Sequence, residues 1–136
     1  MGDGPAASPL VQNLLMADSF YVEPTTSKIS ILGIFNSFSV AAGAPYPVSH
    51  LFAVVYLTLT ECYGRCQLRL QIVDDSEEQS SIFDAAIEVD VPDPLGVAVV
   101  VQPVQMLTFP HPGDYFIQVL CGEDLLKEIR LIVIQL

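Results

Sequence analysis

The sequence predicts an all-β fold, namely an antiparallel, immunoglobulin-like β-sandwich of about seven to eight strands, with a β-barrel as the second choice. Apolar and polar residues alternate with period two in several short segments. Clusters of proline, glycine, aspartate and serine separate these segments, and helical periodicity is nearly absent. A chain of 136 residues fits one domain. We therefore predict a single sandwich domain over residues 10–136, after a flexible tail of residues 1–9.

The first third of the chain is predicted to contain two strands. The second half of residues 11–23 alternates and is predicted to be a strand, whereas part of the first half is compatible with a helical turn. After a turn cluster, residues 28–35 alternate again, with Ile29 and Ile31 on one face. Gly33 lies inside this strand and indicates a bulge or a close backbone approach.

The middle of the chain is predicted to form a hairpin. A loop at residues 41–47 precedes it, and residues 50–60 and 65–73 show the clearest alternation of the chain. Tyr63 and Gly64 supply a short connection between the two segments. We therefore expect these segments to pair with each other.

Two further strands are predicted before the C-terminal segment. After an acidic turn at residues 74–81, residues 84–91 alternate, with the isoleucine and valine side chains facing inward. Residues 97–101 are continuously apolar, which predicts a strand buried on both sides, by a second sheet and by a subunit. Pro103 is predicted to interrupt this strand.

Residues 109–136 are predicted to form a C-terminal hairpin around a turn at residues 121–124. Tyr115, Ile117 and Val119 share one face of its first strand. The tyrosine follows a proline-rich corner, an arrangement similar to the tyrosine corner of immunoglobulin-like sandwiches. Because an isolated hairpin is only marginally stable in water, the upstream strands must cover its apolar face.

The composition indicates an unusual amount of apolar surface. Hydrophobic residues make up 51% of the chain and charged residues 15%, whereas a typical soluble domain has about 25% charged residues. No apolar run approaches the roughly 20 residues that cross a bilayer. A domain of this size has a limited interior, so we expect the excess to lie in a subunit interface rather than in a larger core.

The charge balance argues against two classes of partner. The chain has 16 acidic and 5 basic residues, which give a net charge of −11. Such a charge repels phosphate backbones and anionic lipid headgroups. We expect neither nucleic acid nor a membrane surface as a partner.

The N-terminus and the cysteines predict a cytoplasmic protein. The first ten residues contain an acidic residue and no basic n-region, so they do not resemble a signal peptide. Ala6 stands where a myristoylation motif requires serine or threonine. Three cysteines without framework spacing suit a reducing compartment.

Several short motifs resemble those of a family of small, uncharacterised bacterial all-β proteins. They cover nearly the whole domain from Ala17 onward and comprise turns and strand starts: Ala17-Asp18-Ser19, Tyr21-Val22-Glu23, Lys28 to Asn36, Val91-Pro92-Asp93-Pro94, Phe109-Pro110, Pro112-Gly113-Asp114-Tyr115 and Gly122-Glu123. The chain departs from the family pattern at Ser27, Asn36 and Cys121, where glycine, aspartate and aspartate are common. The resemblance implies a bacterial β-domain without an assigned activity, and it transfers no catalytic residue.

Cysteines and histidines provide the candidate metal ligands. Cys62 and Cys66 flank the predicted hairpin turn and would face each other across a three-residue loop, close enough for a disulfide or for half of a metal site. Cys121, His50 and His111 are distant and have no ligand spacing. We favour two reduced, buried thiols and predict no bound metal.

Acidic residues provide the remaining candidate site. Asp74, Asp75, Glu77 and Glu78 lack the D-x-[DN]-x-[DN]-G pattern of a calcium loop, so we interpret them as a solvated turn. His111 lies between two prolines in a rigid surface corner. The sequence contains no G-x-S-x-G, H-E-x-x-H or glycine-rich phosphate loop. We therefore predict no catalytic residues, no cofactor and no enzymatic activity.

Two functions are compatible with these observations. The favoured one is a non-enzymatic interaction domain that forms a homodimer, or binds a protein partner, through an apolar sheet face or an edge strand. It is motivated by the apolar segments at residues 97–101 and 132–134. The alternative is a sandwich that binds a small ligand or carbohydrate, or hydrolyses it, through the acidic loops with Tyr46, Tyr63 or Tyr115.

Overall fold

The computed structural model describes residues 8–62, 64–76, 80–91, 93 and 95–136. Within these residues the chain forms nine strands and no helix, and therefore no helix that could span a membrane. The strands are β1 (Leu10–Val22), β2 (Ile29–Phe35), β3 (Ser37–Val40), β4 (Val48–Thr60), β5 (Gly64–Asp74), β6 (Ser81–Val91), β7 (Ala98–Phe109), β8 (Gly113–Cys121) and β9 (Asp124–Gln135).

The strands form two sheets, which confirms the predicted β-sandwich. One sheet has four strands in the order β2-β1-β4-β7, and the other has five in the order β3-β9-β8-β5-β6. All neighbouring strands are antiparallel except β3 and β9, which are parallel. The inner faces of the two sheets meet in one hydrophobic core. This is the layered arrangement that buries one face of each sheet.

The predicted C-terminal hairpin is confirmed. Strands β8 and β9 pair, with Cys121 opposite Asp124 across a two-residue turn. Gly122 in this turn has a φ of +61°, a conformation that glycine adopts without steric cost. The side chains of Tyr115, Ile117 and Val119 are buried, as their alternation predicts.

The predicted hairpin between residues 50–60 and 65–73 is wrong. Both segments are strands, but β4 pairs with β1 and β7, and β5 pairs with β6 and β8 in the other sheet. The chain crosses from one sheet to the other after Thr60, where Glu61 has a φ of +58°. Alternation requires only that one face of each strand is buried, so it does not distinguish a hairpin from a crossover between sheets.

Strand β1 is extended throughout, so the helical turn considered for its first half is absent. Leu14 and Met16 in this half belong to the core and lie opposite Leu57 and Val55 of β4. The four-residue strand β3 was not predicted from the sequence. Its pairing with β9 depends on a contact between residues far apart in the chain.

Strand β7 bears on two expectations. Within the single chain the second sheet covers only the inner side of residues 98–101, and Val99 is 47% exposed on the outer side. Burial of that outer side by a subunit stays a prediction. Pro103 does not interrupt the strand, since it lies within β7 opposite Val54. An edge strand tolerates proline because one side of its backbone needs no hydrogen-bond donor.

The other predicted strands are close to their observed bounds. Strand β6 begins at Ser81, three residues before its predicted start, and buries Ile87, Val89 and Val91. Gly33 in β2 has a φ of +71° and lies against the Asp18 side chain, which agrees with the predicted close approach. Of the predicted N-terminal tail, residues 1–7 lie outside the described residues.

Candidate functional site

The outer side of the four-stranded sheet is the main candidate site. The core contains Leu14, Met16, Val55 and Leu57, so the residues that alternate with them point away from the core. Applying the strand register to the whole sheet gives an outward-facing set, which we call the uncharged face: Asn13, Leu15, Ala17, Ser19, Tyr21, Ser30, Leu32, Ile34, Phe52, Val54, Tyr56, Thr58, Val99, Val101, Pro103 and Gln105.

This face has no charged side chain, although the protein has a net charge of −11. Within β1, β2, β4 and β7, Asp18 is the only acidic or basic residue besides His50. Both point to the other side of the sheet, where the His50 Nε2 lies 3.8 Å from an Asp18 carboxylate oxygen. Outward-facing positions of a sandwich are normally polar, so the composition of this face is unusual.

Large apolar side chains of the uncharged face are exposed. The exposed fractions are 62% for Ile34, 54% for Tyr21 and 52% for Leu32. Ala17 and Val54 are fully buried although neither belongs to the core cluster. Their burial shows that the surrounding outward side chains pack closely over the centre of the face.

The outer side of the five-stranded sheet is charged. Arg69 and Asp84 form an ion pair across β5 and β6, and this hydrogen-bonded pairing lowers the pKa of the Asp84 carboxyl. Arg65 Nε lies 3.1 Å from a Glu88 carboxylate oxygen on the same two strands. Ion pairs of this kind are solvated and contribute little to stability. The two outer faces of the sandwich therefore differ sharply in polarity.

A second polar cluster surrounds the corner before β8. The Tyr115 hydroxyl donates a hydrogen bond of 2.6 Å to the backbone carbonyl of His111, which confirms the predicted tyrosine corner. Tyr115 is buried and packs its ring edge-on against Phe109, with 5.1 Å between the ring centroids. Burial raises the pKa of the Tyr115 hydroxyl.

The His111 ring contacts a hydrogen-bond acceptor at each nitrogen. Its Nδ1 lies 2.8 Å from the Pro112 carbonyl oxygen, and its Nε2 lies 2.6 Å from Oδ2 of the buried Asp74. Both nitrogens donate only when the imidazole is protonated. The hydrogen bond to the Pro112 carbonyl, followed by that to Asp74, raises the pKa of His111.

The cysteines and histidines do not form a metal site in the described part of the chain, where no three potential ligands cluster. Cys62 and Cys66 are joined by a disulfide, so the preference for two reduced thiols is wrong. Cys121 is a free, partly buried thiol on β8. His50 packs between the rings of Phe35 and Phe38, far along the chain from the other candidate ligands.

The acidic loop forms a shallow groove of about 330 Å³ beside His111. Asp74 and Asp75 line it together with Asp114, whereas Glu77 and Glu78 lie outside the described residues. The carboxylate of Asp74 already accepts hydrogen bonds from His111 and from the Ser76 backbone. Within this groove the Asp74 carboxylate is therefore already engaged by the protein itself.

Of the three tyrosines of the alternative hypothesis, the structure describes Tyr46 and Tyr115, and neither lines this groove. Tyr115 is buried in the core, and Tyr63 lies outside the described residues. The Tyr46 hydroxyl is buried and has no hydrogen-bond partner among the residues that the structure describes.

The sequence contains a signal for the uncharged face that its apolar runs alone do not show. Only one of the two highlighted segments, residues 97–101, contributes to this face, whereas Ile132 lies on the charged outer side of β9. The informative signal is the near absence of charged residues from four whole strands. It becomes meaningful only once those strands are known to share a sheet.

The fold and this surface define an all-β sandwich domain. The chain belongs to a family of unknown function, DUF6941, which matches residues 12–134. This confirms the predicted membership of a family without an assigned function. No curated protein matches the chain.

Two solved structures are similar in fold. One is the alkylpurine DNA glycosylase AlkC of Pseudomonas fluorescens bound to DNA containing an abasic site analogue, with 10% identity and a TM-score of 0.49. The match covers 94% of this chain but 31% of the glycosylase, so the chain spans about a third of that protein. The other is an immunoglobulin-like protein of Pseudomonas aeruginosa, with 16% identity and a TM-score of 0.46, covering 96% of this chain and 99% of that protein.

Proposed function

We propose that this protein is a non-enzymatic interaction domain that binds another protein surface through the uncharged face. The observation that carries the proposal is the exposure of large apolar side chains on a sheet face without a single charge. Contiguous apolar patches of more than a few hundred Å² on soluble proteins mark interaction sites. Scattered exposed apolar residues would not support this proposal, because they are common on all proteins.

Burial of this face would provide a substantial driving force. Full burial of a large aliphatic or aromatic side chain is worth roughly 1.5–3 kcal/mol. Ile34, Leu32, Tyr21 and Val99 are each about half exposed, so each would gain roughly 1 kcal/mol in an interface. Phe52 and Tyr56 add further aromatic side chains, a kind that is enriched among the residues that dominate binding energy in interfaces.

The edges of the same sheet are poorer candidates than its face. On edge strand β7, Pro103 lacks a donor and Met106 has a φ of +54°. On edge strand β2, Gly33 has a φ of +71°. Such irregularities hinder pairing with an additional strand. The sheet therefore has interrupted edges and an open face, which favours binding through the face.

Site-specific photo-crosslinking tests this proposal. A photoreactive phenylalanine analogue would replace Phe52 on the uncharged face or, as the matched control, Phe116 on the charged outer side of β8. In cells that make the protein, we expect the probe at position 52 to give a discrete crosslinked species and the probe at position 116 to give none. Crosslinking from position 116 alone, or from neither position, would contradict the proposal.

A further inference from the structure

We propose that the partner of the uncharged face is a second copy of this chain, bound face to face about a two-fold axis that lies between the two faces and parallel to the sheets. This inference rests on the proposed function, because it assigns the occupant of the same surface. A two-fold contact is the commonest way in which identical subunits associate, and it uses the same patch on both partners.

Sheet twist favours a second copy over an unrelated partner. Strands twist with a fixed hand, so a four-stranded sheet presents a saddle-shaped surface rather than a plane. Two sheets of equal twist pack well when their strands cross at about −30°. A second copy provides a sheet of equal twist by necessity, and the two-fold axis can set this crossing angle. The resulting dimer would stack four layers of sheet.

The size of the face agrees with what a stable dimer needs. Four strands spaced about 4.8 Å apart span about 19 Å. The outward-facing residues cover residues 13–21, 30–34, 52–58 and 99–105, about seven positions per strand on average, which span about 24 Å at about 3.4 Å each. The flat projection is therefore roughly 450 Å², and the relief of the side chains increases the accessible area further. A standard interface takes about 800 Å² from each partner, so the face is large enough to form more than half of such an interface.

The distribution of charge permits self-association despite the net charge of −11. Two acidic molecules repel each other, and the repulsion is strongest where carboxylates approach closely. In a contact through the four-stranded sheets, the ion pairs of the five-stranded sheets lie on the two outermost surfaces. Salt screens the remaining long-range repulsion over about 8 Å. We therefore expect added salt to strengthen the dimer. Added salt would instead weaken an interface held together by ion pairs.

Sedimentation equilibrium of the purified chain, measured across a dilution series, tests the inference. The test variant is Val99→Glu on the uncharged face, and the matched control is Ile132→Glu on the charged outer side of the other sheet. Both substitutions add one negative charge at an apolar position. In the dimer, Val99→Glu would bury two unpaired carboxylates, so we expect it to weaken association more than about 100-fold. Ile132→Glu should leave it within about threefold.

A second variant shows whether a folding defect, rather than loss of the interface, explains weaker association of Val99→Glu. Ile34→Glu lies at the opposite edge of the same face, where the isoleucine is 62% exposed, and it should also weaken the dimer. Circular dichroism of each variant would verify the fold. A dimer that survives both face substitutions but dissociates with Ile132→Glu would overturn the inference and the proposed function together.

The remaining outcomes separate the inference from the proposed function. A monomeric wild-type protein at about 100 µM, where even weak dimers are populated, would overturn the second-copy inference. A crosslink from position 52 to a different protein would likewise overturn this inference but would support the proposed function. A crosslinked species of twice the chain mass of 14.8 kDa would support both.

Discussion

Replacement of His111 should remove a pH-dependent part of the stability of this protein. The ring bridges the Pro112 carbonyl and the buried Asp74 carboxylate, and it donates to both at once only when the imidazole is protonated. These contacts raise the pKa of His111 above its ordinary value of 6.5. The folded protein therefore binds this proton more tightly than the unfolded chain does.

The sign of the effect follows from proton linkage. Stability decreases with rising pH wherever the folded state binds more protons than the unfolded state. The contribution of His111 should be complete below the unfolded pKa of 6.5 and should be lost as the pH rises through the raised pKa of the folded state. A hydrogen bond to a charged partner is worth about 1.5–3 kcal/mol. The side chain of His111 is 46% exposed, so solvent screening reduces the expected loss to about 1 kcal/mol.

Urea denaturation from about pH 5.5 to about pH 8.5 would measure this effect. The unfolding free energy of both proteins should be measured across this range. Its decrease with rising pH should be roughly 1 kcal/mol larger for the wild type than for His111→Gln. His50→Gln replaces the only other histidine, and its comparison with the wild type measures how much of the pH dependence does not depend on His111. Equal pH dependence in His111→Gln and the wild type would refute the reasoning.

Three further substitutions test other parts of the fold by the same denaturation assay. Tyr115→Phe removes the 2.6 Å hydrogen bond of the tyrosine corner and should cost about 1–2 kcal/mol, so an unchanged midpoint would contradict that role. Replacing both Cys62 and Cys66 with serine opens a loop with a sequence separation of 4 and should cost about 2 kcal/mol; dithiothreitol should destabilise only the wild type. Gly33→Ala forces a non-glycine residue to a φ of +71° and should cost about 1–2 kcal/mol. The Cβ of the new alanine would also lie 2.5 Å from an Asp18 carboxylate oxygen. Adding Asp18→Ala to the Gly33→Ala variant should therefore recover the stability lost to this clash but not the stability lost to the positive φ.

Local features of the sandwich were predictable from the sequence. The turn at residues 121–124 specifies the β8–β9 hairpin because its residues tolerate a tight reversal. Alternation then assigns the buried face of each strand without knowledge of its neighbours. The tyrosine corner was also recognisable, because proline and glycine precede Tyr115 at a strand start.

Long-range features were not predictable in the same way. β4 pairs with β1 and β7, neither of which is its neighbour in the sequence, and alternation is identical whether consecutive strands pair or cross between sheets. Strand β3 has only four residues and pairs in parallel with β9, so no local pattern indicates it. Pro103 was misinterpreted because its tolerance depends on the edge position of β7.

The apolar excess has a definite location in the structure. Every sandwich needs apolar inner faces, so a core alone does not explain a charged fraction of 15%. The five-stranded sheet has the usual distribution of residues, with charged residues such as Arg69 and Glu88 on its outer side. The four-stranded sheet lacks such residues on its outer side, and there Ile34 and Val99 stand where polar residues are normally found. The excess thus belongs to one exposed face, which is where a single added carboxylate should have its greatest effect on association.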